Sequence, residues 1–262
     1  MGIIITIINN KGGVGKTSLS CNLGAALSRM HKKVLVIDND PQSNATTNLL
    51  KDIKIKNSLY ELLEPDNDIK VEDCIYLSQE KNLFCLPNIR DTSGLEMDFV
   101  ELYPKSLNIL KNKVQTYVQN NYDYTIIDTP PNIGMFTTKA LITCQYVIVP
   151  IDSSSADSLD GLKEAIKLVE TVKERFNKNI NQLKLIINRV HGHKIICKAI
   201  IENIKSQFNE NQVFKTMIPE TTAMQQAVFL RETIFKNNRT CKAAKAFREL
   251  AKEIIEGGEN GS

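Results

Sequence analysis

The feature that most restricts what this chain can fold into is its opening. An apolar run, Ile3–Ile8, passes into Asn9-Asn10-Lys11-Gly12-Gly13-Val14-Gly15-Lys16-Thr17-Ser18 and then into a segment of helical period, Ser18–Met30. A strand, a glycine-rich loop and a helix in that order form a cradle for phosphate groups. Glycines let successive backbone N–H groups turn toward one anion, and the positive end of the helix starting near Lys16 adds its field. Gly12, Gly13, Val14, Gly15 and Ser18 are thus expected along the phosphates, with Lys16 reaching the β- and γ-phosphates and the Thr17 hydroxyl placed to ligate Mg²⁺. The strict Walker pattern asks for glycine where Asn10 stands, and a second lysine, Lys11, precedes the glycine pair.

Further short runs rich in Ile and Val follow at Val34–Ile37, Leu83–Leu86, Tyr124–Ile127, Tyr146–Ile151, Leu183–Ile187 and Val213–Phe214. Segments of helical period lie between them, among them Leu107–Gln119, Leu159–Phe176 and Ala199–Phe208. Continuous apolar runs fit strands buried on both faces of a parallel sheet. Their alternation with helices gives right-handed βαβ units and a doubly wound α/β fold, a mostly parallel sheet flanked by helices. The 262 residues suffice for one such domain, expected over residues 1–256, with 257–262 as a flexible tail. A composition 42% hydrophobic and 24% charged excludes disordered and collagen-like classes. The opening run lacks a basic lead-in and cleavage site, and no stretch approaches the roughly 18 apolar residues of a spanning helix. Neither export nor a membrane span is expected. The six cysteines, Cys21, Cys74, Cys85, Cys144, Cys197 and Cys241, show no C-x-x-C pair. They read as reduced thiols of a cytosolic protein, packed as small hydrophobes.

In a parallel sheet, ligands gather at the carboxyl ends of the strands. The second run ends Ile37-Asp38-Asn39-Asp40-Pro41-Gln42, and the run from Tyr124 ends Ile127-Asp128-Thr129-Pro130-Pro131-Asn132. Carboxylates so placed can hold the waters of a Mg²⁺ ion and orient an attacking water. Asp128, closing an apolar strand, has the Walker B arrangement. Asp38 is expected in the metal shell or as a structural neighbour.

Lys11–Thr17 resembles the deviant Walker A motif of the ParA/MinD superfamily of P-loop ATPases. Asp38–Thr46 is similar to the D-x-D-P-Q-G-N-A-T switch I of ParA/Soj partition ATPases, departing at Ser43 where the family usually has glycine, and Ile127–Pro131 is similar to their I-D-T-P-P switch II. The resemblance implies ATP and Mg²⁺ as cofactors, Asp40 as the water-activating carboxylate, and Lys11 acting across a sandwich dimer on the partner's ATP. A second cation there would stabilise the transition state as an arginine finger does. It also implies adenine recognition by Asn188 and Arg189 at a strand end and by Pro219 and Glu220 in a nearby turn. The activity implied is plasmid or chromosome partition in the cytoplasm, on the nucleoid. An ATP-dependent homodimer would bind double-stranded DNA nonspecifically and be released when a ParB-like centromere-binding partner stimulates hydrolysis.

A formal charge of +3 predicts no strong attraction of the whole surface to a polyanion, yet it conceals a division. Residues 1–160 carry 15 basic and 19 acidic side chains, residues 161–262 carry 18 and 11. Arg231, Lys236, Arg239, Lys242 and Lys245 form the densest basic group and are the candidate DNA contacts. The segment around Arg239 and Lys242 resembles the DNA-touching loop and helix start of ParA/Soj proteins, without their Arg-x-Arg. A MinD-like, membrane-associated positioning ATPase is the alternative. It requires an amphipathic anchor, but Thr240–Glu256 has an apolar face half of alanine and is expected to dock on the core. A nitrogenase-like cluster site is excluded by the placement of Cys85 and Cys144, and a tyrosine-kinase relative by the absence of tyrosines after Tyr146. With the first strand beginning at Ile3, no amino-terminal helix-turn-helix, and so no operon autorepression, is expected.

Overall fold

The computed structural model describes every residue except 66, 156–157, 192–193 and 260–262. In chain order the elements are β1 (Ile3–Ile7), α1 (Lys16–Arg29), β2 (Val34–Asp38), α2 (Asn44–Leu49), α3 (Leu59–Leu63), β3 (Tyr76–Leu77), β4 (Leu83–Leu86), α4 (Leu95–Glu101) and α5 (Ile109–Asn121). There follow β5 (Tyr124–Asp128), α6 (Met135–Thr143), β6 (Tyr146–Asp152), α7 (Ser158–Arg175), β7 (Gln182–Asn188), α8 (Ile195–Gln207), α9 (Thr222–Leu230), α10 (Ile234–Asn238) and α11 (Lys242–Glu259).

Among the described residues the strands form one sheet in the order β3-β4-β2-β5-β1-β6-β7, parallel except for the antiparallel edge strand β3. Strand periodicity sorts its residues between two cores. Ile4, Leu35, Ile37, Ile127, Val147 and Val149 join α3, α5, α6 and α7 on one face. Ile5, Ile7, Val34, Val36, Ile126 and Ile148 join α1, α10 and α11 on the other. Side chains of successive residues point to opposite faces, so an unbroken Ile/Val run serves both layers. The doubly wound fold expected from the alternation is the one observed.

Three local expectations change. Val213–Phe214 is not a strand of this sheet: Val213 makes only an isolated bridge to Leu185, too short a contact to extend the ladder. The short edge strand β3 was not anticipated, because two residues carry no periodic signal. Helix α11 continues through Gly257 to Glu259, so the first residues assigned to the tail are helical, while 260–262 lie outside the described residues.

The face of α11 bearing Ala243, Ala244, Phe247, Leu250 and Ala251 is buried in the same core as Leu19, Leu23 and Leu27 of α1. Burial of such a face contributes roughly 25 cal/mol per Å² of apolar surface removed from water. The alanines on that face let α11 approach α1 closely. No helix among the described residues is long and apolar enough to cross a membrane.

Candidate functional site

Topology places the site. From β1 the chain builds outward through β2 and β4, returns to β5 beside β1, and then crosses to β6 and β7 on the other side. The loop after β1 therefore opens at the reversal of winding, where an open α/β sheet leaves a crevice. Register sets the carboxylates against it: Ile7 pairs with Asp128, and Asp128 with Asp38, at the ends of β1, β5 and β2.

Within the loop, Gly13 and Gly15 have φ of 77° and 90°, the left-handed region that a side chain disfavours. At Gly15 space is closed as well: a Cβ would stand 2.6 Å from Asn188 Nδ2. Gly15 starts α1 without a side-chain cap, and no acidic residue occupies the first turn. That end can therefore serve an external anion. Lys16 is buried, and its Nζ donates to the carbonyls of Asn9 at 2.9 Å and Lys11 at 3.1 Å. Burial lowers its pKa, against the opposing pull of Asp128 and Asp40. Lys11 is held at both ends of the residue, its N–H donating to Asn9 Oδ1 and its Nζ to Ser155 Oγ, each at 2.8 Å.

The three aspartates are not equivalent. Asp38 is fully buried, and its Oδ2 accepts from both the N–H and the hydroxyl of Thr46 at 2.7 Å. Burial, then the charge of Asp128, pushes its pKa up to about 7. These bonds tie the end of β2 to α2. Asp128 Oδ1 accepts from Ser20 Oγ at 2.7 Å, and burial pushes its pKa up to about 6. Its Oδ2 is buried without a donor among the described residues, and Thr17 lies beside the carboxylate. A hydroxyl next to an unsatisfied carboxylate oxygen is a donor set that suits a hydrated Mg²⁺. Asp40 Oδ1 accepts from Gln42 N–H at 2.9 Å, and burial raises its pKa.

Above these groups lies a cavity of about 510 Å³, with Gly13, Lys16, Thr17, Asp40, Arg90 and Arg231 on its walls. A second cavity of about 260 Å³ adjoins it, sharing Gly15, Ser18, Arg189 and Val228. Asn188, Pro219 and Glu220, the residues expected around a base, line this second cavity together. Asn188 is partly committed to the loop itself, donating from Nδ2 to Val14 O at 2.8 Å and accepting at Oδ1 from Arg189 N–H at 3.0 Å. Arg189 pairs with Asp152 at 3.2 Å, and Glu220 with His191.

Several contributors escaped the sequence reading. Ser20 lies one helical turn beyond Lys16, a spacing that could have flagged it. Thr46 was marked only as the last residue of the switch I resemblance, not as a partner of Asp38, and Arg90 had no signal, because the fold alone brings it to the cavity. Arg231, grouped by sequence with the candidate DNA contacts, is exposed, ends α9 in a left-handed turn and also lines the larger cavity. Lys236, Arg239, Lys242 and Lys245 are likewise exposed, at α10 and the start of α11. There Lys236 contacts Gln79 and Glu232, and Phe235 sits between the guanidinium groups of Arg29 and Arg248, each 5.2 Å from its centroid.

A glycine-rich loop at the switch point, a buried lysine over it and strand-end aspartates beside it define a P-loop ATPase fold. The family model described as an AAA domain matches residues 2–182. The sporulation initiation inhibitor protein Soj of Bacillus subtilis is 32% identical over 98% of this chain and 100% of its own. The chain belongs to the Soj/ParA family of chromosome-partitioning ATPases. Among solved structures, the cobyrinic acid a,c-diamide synthase of Mycobacterium smegmatis with bound ADP and magnesium is similar in fold, with TM-score 0.85 and 24% identity over 100% of this chain and 97% of that one. The septum site-determining protein MinD of Pyrococcus horikoshii, complexed with Mg-ADP, has TM-score 0.77 and 26% identity, covering 97% and 96% of the two chains.

Proposed function

We propose that this chain is a Mg²⁺-dependent ATPase that partitions plasmid or chromosomal DNA. The observation that carries the reading is the convergence of Lys16, Asp40 and Thr17 on one cavity, with the unsatisfied Asp128 oxygen beside Thr17. In this reading Thr17 and Asp128 would hold Mg²⁺, while the loop N–H groups and Lys16 bind the phosphates. Bound Mg²⁺ would neutralise charge on the phosphates during transfer. Asp40 orients the attacking water and takes up its proton, a task suited to a carboxylate whose pKa is raised. The second cavity holds adenine, with Asn188, Arg189, Pro219 and Glu220 at its walls.

ATP closes a homodimer in which Lys11 leaves Ser155 for the partner's phosphates. Closure joins the two exposed basic surfaces at Lys236, Arg239, Lys242 and Lys245 into one DNA-binding face, which raises affinity through effective concentration. Hydrolysis, stimulated by a ParB-like partner, releases the DNA on the cytoplasmic nucleoid. The docked apolar face of α11 supports DNA over a membrane as the surface that this protein engages.

The test is a gel-shift titration on nonspecific double-stranded DNA and a liposome pelleting assay, each with ATP, with ADP and without nucleotide. ATP-dependent, salt-sensitive retention of DNA with no pelleting is the expected result. ATP-dependent pelleting without a DNA shift would overturn it in favour of the MinD-like alternative.

A further inference from the structure

The cavity over the phosphate loop contains two arginines that neither the loop nor the switch segments supply. Arg90 follows β4, whose Leu86 pairs with Ile37, so this wall lies alongside the chain leading to Asp40. Arg231 enters from another wall, at the end of α9. There Lys51 Nζ donates to the neighbouring Leu230 carbonyl at 3.4 Å, and Glu232 N–H returns to Ala227 O at 3.0 Å. Arg189, on the same cavity, is neutralised by Asp152. Neither Arg90 nor Arg231 has a carboxylate within salt-bridge distance among the described residues.

The backbone of Arg231 makes its presence more telling. Its φ and ψ are both 55°, at a helix end where glycine or asparagine is the unstrained choice. The turn itself gives no reason for a long cationic side chain, so its presence on the cavity wall calls for another one. Charge agrees with this. With Arg189 paired to Asp152, the cavity walls carry Lys16, Arg90 and Arg231 against the one lining carboxylate among the described residues, Asp40. Two of these cations, Arg90 and Arg231, are additional to the loop N–H groups and Lys16 that face the phosphates nearest the loop. A planar guanidinium fork fits two oxygens of one terminal phosphate.

We propose that Arg90 and Arg231 grip the terminal phosphate of a nucleoside triphosphate from outside the loop, and so make this cleft discriminate ATP from ADP. The proposal rests on the reading of the cleft as a nucleotide site. Binding of ATP and of ADP, each with Mg²⁺, is to be measured by titration calorimetry for wild type, Arg90→Ala, Arg231→Gly and the double variant. Glycine suits the left-handed backbone, so Arg231→Gly removes the side chain without straining the turn, and a thermal melt verifies the fold. Each single variant is expected to lose about tenfold or more in ATP affinity and less than about threefold for ADP. Lys198→Ala, an exposed charge removed on α8, is expected to alter neither. Equal losses for ATP and ADP, or no loss, would overturn the proposal. So would an Arg231→Gly protein that binds nucleotide normally and fails only in the DNA shift, which would return Arg231 to the DNA face. Lys16→Ala separates the two levels of argument. If it binds ATP like wild type, the nucleotide reading itself fails; if it loses ATP while the arginine variants do not discriminate, only the arginine proposal fails.

Discussion

Charge is concentrated twice in this molecule, at the carboxyl ends of β1, β2 and β5 and on the surface of α10 and the start of α11, under opposite conditions. Lys16, Asp38, Asp40 and Asp128 are buried, positioned by strand register and shifted in pKa by burial. Lys236, Arg239, Lys242 and Lys245 are exposed on short turns and helix ends. In the first group each atom has a defined neighbour, and removal of one group leaves others unsatisfied in a low-dielectric site. In the second, water screens each charge, and only the sum acts on a polyanion. The difference teaches that a single substitution should silence the first region, whereas the second should respond in graded, salt-dependent steps.

That contrast can be broken by experiment. The largest effect is expected for Asp40→Ala, which should lower ATP hydrolysis by roughly 10²- to 10⁴-fold while ATP-dependent dimers still bind DNA. Phosphate release and a gel shift on the same preparation check this, and normal hydrolysis would remove Asp40 from its assigned role. Lys16→Ala should weaken ATP binding by about 100-fold or more, read by calorimetry, because it deletes the buried cation over the loop. Reversal of two exposed charges, Lys242→Glu with Lys245→Glu, should weaken DNA binding roughly tenfold at low salt and flatten its salt dependence, with dimerisation by ATP unchanged in sedimentation. An all-or-none loss of dimerisation there would show that the basic surface is as tightly built as the nucleotide cleft.

The smallest effect concerns stability. Lys139 on α6 is fully buried over the Phe99 ring, its Nζ without a hydrogen-bond acceptor among the described residues. Burial lowers its pKa to about 7. The folded state therefore binds fewer protons than the unfolded state between about pH 7 and the ordinary lysine range, and stability should rise with pH across that window. Lys139→Met should stabilise the protein by about 1–2 kcal/mol at pH 7 and abolish this rise. Urea midpoints at pH 7 and 9.5 measure both, and a destabilised Lys139→Met protein would show that the buried amine has a favourable role.

Much of the architecture was legible in the residues. The Ile/Val runs ending in Asp38 and Asp128, and the glycine loop between Ile8 and the helix from Lys16, impose backbone geometry locally and so announce their positions. The short edge strand β3 and the failure of Val213–Phe214 to form a strand were not legible, since segments of two residues carry no period. Nor was the pairing of Asp38 with Thr46, which ties the end of β2 to α2. The basic residues after position 230 form one exposed group along the chain, and only the fold shows that Arg231, in a left-handed turn, also lines the cleft.

By itself the sequence determined the strand–loop–helix cradle, the parallel α/β class and the carboxylates at the strand ends, because each follows from backbone requirements and periodicity over a few neighbouring residues. The tertiary structure alone decided which carboxylate oxygen stays unsatisfied, which arginines share the phosphate cavity and which face of α11 is buried. Those outcomes depend on register and on helices packed across the sheet, which bring together residues such as Arg90 and Arg231 that are far apart in the chain.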